Sequence, residues 1–387
     1  MNIFIIGITG CAHHLAKLLC QNNKVFLHYK NVIEKINNGE IDMCITTLLN
    51  HQLDPTIQNI RNSNIPILLP SADMALLEKS KVNTKLIFEK LNIPTQKYFM
   101  CYSVDDFKKI PKPFVIKSDD FLYGLQTTIV TDDNFDNVYE HIKLQFLKNK
   151  KILVEEFVKI KREYSFHILC NEKSWTYIGS ARDYKKIYEG DKGFNTVSMG
   201  SYNAVEDIDI LNISKHIDKL LNYMKTYTGF MYLGIIITED NRLLISEINT
   251  RPGDPELQSI LPIIDNDLTD LLYKTVTNQY LPKINFNDKN AVTIKVNHKN
   301  YLDAVNYDLD AIEKKDWSIY FKKIKKPIFV DVPDDIVICD YNYNIVTNVS
   351  LTTVKETRKE ASDYLYDYLK TVDMGDYAIR NDIGYLD

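Results

Sequence analysis

Glycine is scarce in this chain, 13 residues in 387, against roughly 7% in an average protein. A loop without glycine loses an easy route to positive φ and to close backbone approach to a ligand. Lys, Asn, Ile and Tyr are abundant instead, a bias that an A/T-rich coding sequence produces without functional meaning. The six cysteines, Cys11, Cys20, Cys44, Cys101, Cys170 and Cys339, form no C-x-x-C pair, and no histidines stand at zinc spacing. That excludes a zinc ribbon and reads as reduced structural thiols in a cytosolic protein. No apolar run approaches the roughly 18 residues that span a bilayer. Met1–Ile6 has neither the basic stretch nor the cleavage site of a signal peptide, so a cytoplasmic protein with no membrane partner is expected. The formal charge of -5 gives no general attraction to nucleic acid. There is no G-x-S-x-G, and Gly7-Ile-Thr-Gly10 is not a G-x-G-x-x-G fingerprint. The tandem His13-His14 lacks a recognisable Cys or Ser partner, so nucleophile and dinucleotide chemistries drop out.

What remains is a globular chain, 45% hydrophobic and 26% charged, long enough for about two to four subdomains. Asn2–Gly7 reads as a strand ending in glycine and His13–Gln21 as a helix, followed by strands at Val25–His28, Met43–Thr47 and Ile67–Leu69 with a helix at Asp54–Asn62. Alternating β and α of this kind predicts a small parallel sheet. Ser71–Leu91 reads as one helix, stopped by Ile93-Pro94-Thr95. Strands follow at Phe114–Lys117, Thr127–Val130 and Lys151–Phe157, with a helix at Phe135–Asn149. Tyr164–Leu169 pairs with Trp175–Ser180, and Met231–Thr238 with Leu243–Asn249 about the turn Glu239–Arg242. Asp209–Thr226 and Asp267–Asn278 read as helices, Pro282–Lys289 as a boundary, and Val354–Lys370 as the final helix.

The densest chemistry lies in Ser246-Glu-Ile-Asn-Thr-Arg-Pro-Gly-Asp-Pro-Glu256. Strand side chains alternate, so Glu247 and Asn249 share a face. A carboxylate and an amide oxygen there suit Mg²⁺, which takes one or two such groups and completes its shell with phosphate and water. An edge strand with two solvated polar residues explains the pair equally simply, until the charged turn Arg251-x-Gly253-Asp254-Pro-Glu256 is added. Lys117 ends a strand and can neutralise a phosphate, though strand-terminal lysines are usually just solvated; Lys81, in a helix, is more ordinary still. Glu155 and Glu156 interrupt an apolar strand, and a buried carboxylate demands a partner. Nucleotide recognition by a hinge strand would supply one, and so would a surface salt bridge. The charged, glycine-bearing stretch Arg182–Gly200 is either a functional loop or a solvated one.

These elements fall in an informative order. Lys81, Val115-Ile-Lys117, Val154-Glu-Glu-Phe157, Glu163-Tyr-Ser-Phe166, Arg182-Asp-x-Lys185, Asp191-x-Gly193-x-Asn195-Thr196-x-x-Met199-Gly200, Thr228-Gly-Phe-x-Tyr232-x-Gly234, Glu247-x-Asn249-x-Arg251-x-Gly253-Asp-Pro-Glu-x-Gln258 and Arg380-Asn-Asp-Ile-Gly-Tyr385 resemble the phosphoribosylamine–glycine ligase family over nearly the whole chain. The resemblance implies an α/β and α+β multidomain protein: an N-terminal parallel-sheet α/β domain (1–78), an ATP-grasp core (79–285) with a mobile lid (about 95–155), and a small C-terminal α+β domain (286–387). It implies a monomer using ATP with Mg²⁺ or Mn²⁺, glycine as carboxylate donor and phosphoribosylamine as amine. By position, Glu247 and Asn249 would hold the metal, Lys81 and Lys117 would hold the nucleotide phosphates, and Lys185 would also bind the nucleotide. Glu155, Glu156, Phe157 and Val158 would frame adenine, and Glu163 the ribose. Arg251, Lys117 and Asp254 would be catalytic, with Arg251 at the γ-phosphate or acyl phosphate. His13, Asp191, Asn195, Thr196, Arg251 and Asp254 would line the substrate side.

Departures from the family pattern cluster on that substrate side. The glycine-rich lid loop is Ser118–Thr128 with a single glycine, and the family's G-G-R-E-H is Thr9-Gly-Cys-Ala-His13. Its G-P-E stretch is Thr46–Asn50, its paired glycines are Val197-Ser198, and a C-terminal glycine-rich turn is Asn297–Tyr301. Side chains in place of glycines reshape or block a pocket. The expected reaction is therefore glycine with phosphoribosylamine, with a different amino acid or amine, such as a modified nucleotide, as the first alternative. An inactive nucleotide-binding scaffold is the second.

Overall fold

The computed structural model describes residues 1–7, 9–27, 32–47, 55–117, 127–136, 138, 152–204, 209–225, 227–305, 324–340 and 346–386. The lid loop at 118–126 and most of the Phe135–Asn149 helix lie outside the described residues, as do Leu48, Leu49 and Asn50.

The chain opens with β1 (Asn2–Ile6), α1 (Gly10–Leu19), β2 (Lys24–Leu27), α2 (Val32–Asn37), β3 (Met43–Thr46), α3 (Pro55–Asn62) and β4 (Ile67–Leu68). The four strands form a parallel sheet in the order β2-β1-β3-β4, as the alternation of strand and helix predicts. Two helices follow, α4 (Ala72–Lys79) and α5 (Lys81–Leu91), where the sequence reads as one. Ser80 separates them because its backbone is extended (φ -117°, ψ 99°) and its hydroxyl accepts from Asn83 N, capping α5.

A small antiparallel sheet, β5-β8-β6-β7, is built from β5 (Tyr98–Cys101), β6 (Phe114–Lys117), β7 (Thr127–Val130) and β8 (Ile152–Glu156), with α6 (Val104–Lys108) at its side. Among the described residues the main sheet holds nine strands. Its first part comprises β9 (Ile160–Cys170), β10 (Trp175–Asp183), β13 (Gly200–Asn203), β14 (Gly229–Thr238) and β15 (Leu243–Asn249). Between β10 and β13 lies the two-stranded β11 (Lys186–Tyr188) and β12 (Lys192–Asn195). The helices α7 (Ile210–Met224), α8 (Glu256–Ile260) and α9 (Leu268–Val276) pack around this sheet. On α7, Ile213, Ile217, Leu220 and Met224 recur at helical spacing and are all buried against β9 and β14, each contributing about 1.5–3 kcal/mol.

The last hundred residues extend the same sheet. β16 (Asn290–His298) pairs with β13, then with β18 (Thr347–Lys355), and β17 (Val337–Asp340) closes the edge. Thus the boundary near residue 285 separates sequence segments, while the hydrogen-bonded sheet runs across it. The final helix α10 (Arg358–Leu369) begins four residues later than the sequence reading, because Val354 and Lys355 complete β18. A reciprocal box fixes that start: Glu360 N donates to Thr357 Oγ1 and Thr357 N to Glu360 Oε2. β19 (Tyr377–Ala378) joins β16. One apolar cluster joins the N-terminal sheet to the core through Ile3, Leu15 and Met43 with Leu169, Ile178 and Leu257. No helix among the described residues is long and apolar enough to cross a membrane.

Candidate active site

The site begins with a strand irregularity. Opposite β14, Gly234 pairs with Glu247 and Ile235 with Ile245, so Ser246 is the extra residue of a bulge. That lets Ile245 and Ile248 share one core while Glu247 and Asn249 face away from it. Gly234 leaves room there: a Cβ would come within 2.5 Å of Ser246 Oγ and 3.0 Å of Glu247 Cγ, so those side chains would have to shift. Asn249 Nδ2 donates to Glu247 Oε1 at 3.1 Å, so the two side chains converge as the spacing predicts. Burial raises the Glu247 pKa, but Lys185, Lys81, Lys117 and the Asn249 bond outweigh it and hold the carboxyl down at about 2. An ionised carboxylate beside an amide is a donor set that fits Mg²⁺ or Mn²⁺ sharing its shell with phosphates. Among the described residues no group of three or more His, Cys, Asp or Glu could hold a metal alone.

Across from this pair stands a dry cluster. Glu155 of β8 receives Lys117 at 2.9 Å and Lys85 at 2.8 Å, the latter from α5. Lys85 escaped the sequence reading, since a lysine within a helix gives no hint of burial, yet it is 1% exposed. Lys81, at the first turn of α5, acts on the site by its charge on Glu247. Lys185 pairs with Glu163 at 3.2 Å, and that carboxylate lifts its pKa well above the ordinary range. Glu156 turns outward, accepting from Lys97 N and from Arg242 Nη1. Phe157 is exposed and Val158 half-buried just beyond the strand end.

Arg251 follows Asn249 and is aimed by a residue the sequence did not single out. Glu78 of α4 accepts from Arg251 Nε at 2.8 Å and from Thr250 N at 2.9 Å. The guanidinium also lies 5.9 Å from the Tyr232 ring, which stacks on buried His167. Asp254 accepts from Gly10 N, the first residue of α1, and from Gln258 Nε2, tying the N-terminal domain to the turn. Lys295 of β16, 3% exposed, reaches Asp254 Oδ1 at 3.5 Å. Burial and the nearby Glu256 carboxylate push Asp183 up to about 8.

The remaining candidates divide. His13 lies in α1 with Asp340 and Asp254 as charged neighbours, and burial lowers its pKa. Asp191 is held by Arg182 at 3.1 Å and by Arg380 at 2.8 Å, so its carboxylate anchors the β11–β12 hairpin to the C-terminal segment. Thr196 is turned back on the chain, its hydroxyl donating to Lys185 O. Asn195 ends β12 opposite Lys186, half-buried. Glu247, Asn249, Lys117, Lys81 and Lys185 thus gather around one charge centre, whereas Asp191 and Thr196 support the loop beside it.

Residues 79–257 match the family described as phosphoribosylglycinamide synthetase, ATP-grasp (A) domain. The chain is 27% identical to a phosphoribosylamine–glycine ligase of Listeria monocytogenes over 99% of both chains. It is 28% identical to the Rhizobium meliloti ligase over all of this chain and 98% of that one. The crystal structure of phosphoribosylamine–glycine ligase from Thermotoga maritima superposes with a TM-score of 0.77 at 22% identity, covering 99% of this chain and 100% of that chain. A biotin carboxylase domain from Hydrogenobacter thermophilus, solved with MgADP, shares the fold more distantly, at TM-score 0.68 and 12% identity. The motif order, the sheet and the full-length match agree in making the chain similar from end to end to phosphoribosylamine–glycine ligases, with the ATP-grasp domain match over residues 79–257.

Proposed function

We propose that the chain is an ATP-dependent ligase that joins glycine to phosphoribosylamine, releasing ADP and phosphate. The observation that carries this reading is the ionised Glu247 beside Asn249, ringed by Lys81, Lys117 and Lys185, in a chain similar end to end to phosphoribosylamine–glycine ligases. A carboxylate is a poor electrophile because oxide is a poor leaving group. In the reaction a carboxylate oxygen bonds to the γ-phosphorus of ATP and the bond to the β-phosphate oxygen breaks. The amine nitrogen then bonds to the acyl carbon, and phosphate departs with the electron pair as the amine loses a proton. Arg251, fixed by Glu78, and the lysines offset charge on the transferred oxygens. A divalent cation held by Glu247 and Asn249 would supply further charge neutralisation there. No covalent enzyme intermediate is needed, in keeping with the lack of a nucleophile motif.

Lys295 supports a second reading, in which the same chemistry acts on another amino acid or amine. A buried ammonium beside Asp254, with Ser198 held at φ 150° where glycine is at ease, narrows the substrate side. Release of ADP by the full chain with Mg-ATP, glycine and phosphoribosylamine tests the first reading. Turnover that requires both co-substrates supports it; turnover only with another amino acid or amine selects the second. No co-substrate-stimulated release with any pair would leave a nucleotide-binding scaffold.

A further inference from the structure

Glu155 is an unusual carboxylate because it has two lysines. Its side chain is 2% exposed, and Lys85 and Lys117 take one oxygen each. The two lysines differ in freedom. Lys85 also donates to Gln96 Oε1 at 3.1 Å and to Thr95 Oγ1, so its ammonium is held by these two groups as well as by its ion pair with Glu155. Its side chain is 2% exposed, enclosed by the protein on all sides. Lys117 ends β6 with its side chain 11% exposed, and it feels Glu247 as well as Glu155. One lysine neutralises Glu155; the other is a surplus positive charge facing the metal-ligand strand.

This asymmetry has a consequence for phosphate binding. A buried carboxylate with a single counter-ion holds it tightly, because losing it leaves an uncompensated charge in a dry site. We propose that Lys85 is a positioning residue, a resident counter-ion of Glu155 that frees Lys117 to leave Glu155 for a nucleotide phosphate. The inference rests on the nucleotide-site reading above and adds a residue to it. The charged groups facing Lys85 are Glu155 from β8, Lys117 from β6 and Glu247 from β15. Burial, aided by repulsion from Lys117, outweighs the two carboxylates and brings Lys85 down to about 8, so it is charged at neutral pH and neutral in mild base.

The test is calorimetric binding of MgADP and of adenosine to the full chain. In Lys85→Met, MgADP affinity should fall about tenfold or more while adenosine affinity stays within about threefold. Adding Lys85→Met to Glu155→Gln should cost less than about threefold in MgADP affinity, because a neutral amide needs no counter-ion. Lys85→Arg should restore most of the wild-type affinity. An equal loss for adenosine and MgADP, or an equal loss whether Lys85→Met is made in the wild-type or in the Glu155→Gln background, overturns the proposal and makes Lys85 a packing residue. Should Lys85→Met not fold, wild type and Lys85→Arg are compared across pH. Wild-type MgADP affinity should weaken as pH rises through about 8, and Lys85→Arg should not follow; parallel profiles overturn the proposal. A wild-type chain that binds neither ligand removes the nucleotide-site reading itself, a result distinct from loss in one variant.

Discussion

The proposed nucleotide side and the proposed substrate side of this molecule are built on different principles. Around Glu247 the cations meet carboxylates at close range: Lys85 and Lys117 share Glu155, Lys185 pairs with Glu163 and Arg251 with Glu78. Around Asp183, the last residue of β10, and Asp254, which Lys295 of β16 approaches, desolvation dominates, with Asp183 pushed up to about 8. A side of paired charges suits a polyanion and its cation. A side governed by burial and side-chain volume suits a choice among small substrates, and there the chain departs from the family pattern.

That contrast can be broken by experiment. The largest effect should come from Glu247→Gln, which removes an ionised oxygen donor and leaves three lysines facing an amide. ADP release should fall about a thousandfold, with an unchanged circular dichroism spectrum; near-wild-type turnover would remove the metal assignment. Arg380→Met comes next. Its side chain is fully buried and holds both Asp191 and Asp382, so its loss should cost about 3–5 kcal/mol in denaturant unfolding. If Asp191 instead contacts substrate in a way that matters, Asp191→Asn will raise a substrate KM while leaving stability nearly intact. The smallest effect is expected at Lys295→Met, about tenfold in KM for one co-substrate with KM for ATP unchanged. A change in the ATP constant there would erase the division between the two sides.

That Glu247 and Asn249 meet was legible before any fold was known, because alternation on a strand is local: two positions apart means the same face. The helix of α7 and the parallel opening sheet were legible for the same reason, as periodicity over a few residues reports which side is buried. The break at Ser80 was not, since its neighbours are good helix formers and only the extended backbone there divides α4 from α5. Val354 and Lys355 read as helix and are strand because β16, a distant segment of the chain, supplies their hydrogen bonds. Glu78, Lys85 and Lys295 carried no pattern at all. Each gains its meaning from a partner remote in sequence, in Arg251, Glu155 and Asp254, with 173 residues separating the first pair.

By itself the sequence determined the order of the elements and the faces of the strands that carry Glu247, Asn249 and Lys117, because these follow from short spacings. Only the tertiary structure decided which charges neutralise one another and which carboxylates lose water. Those depend on distance and burial, and neither is a property of any short stretch of chain.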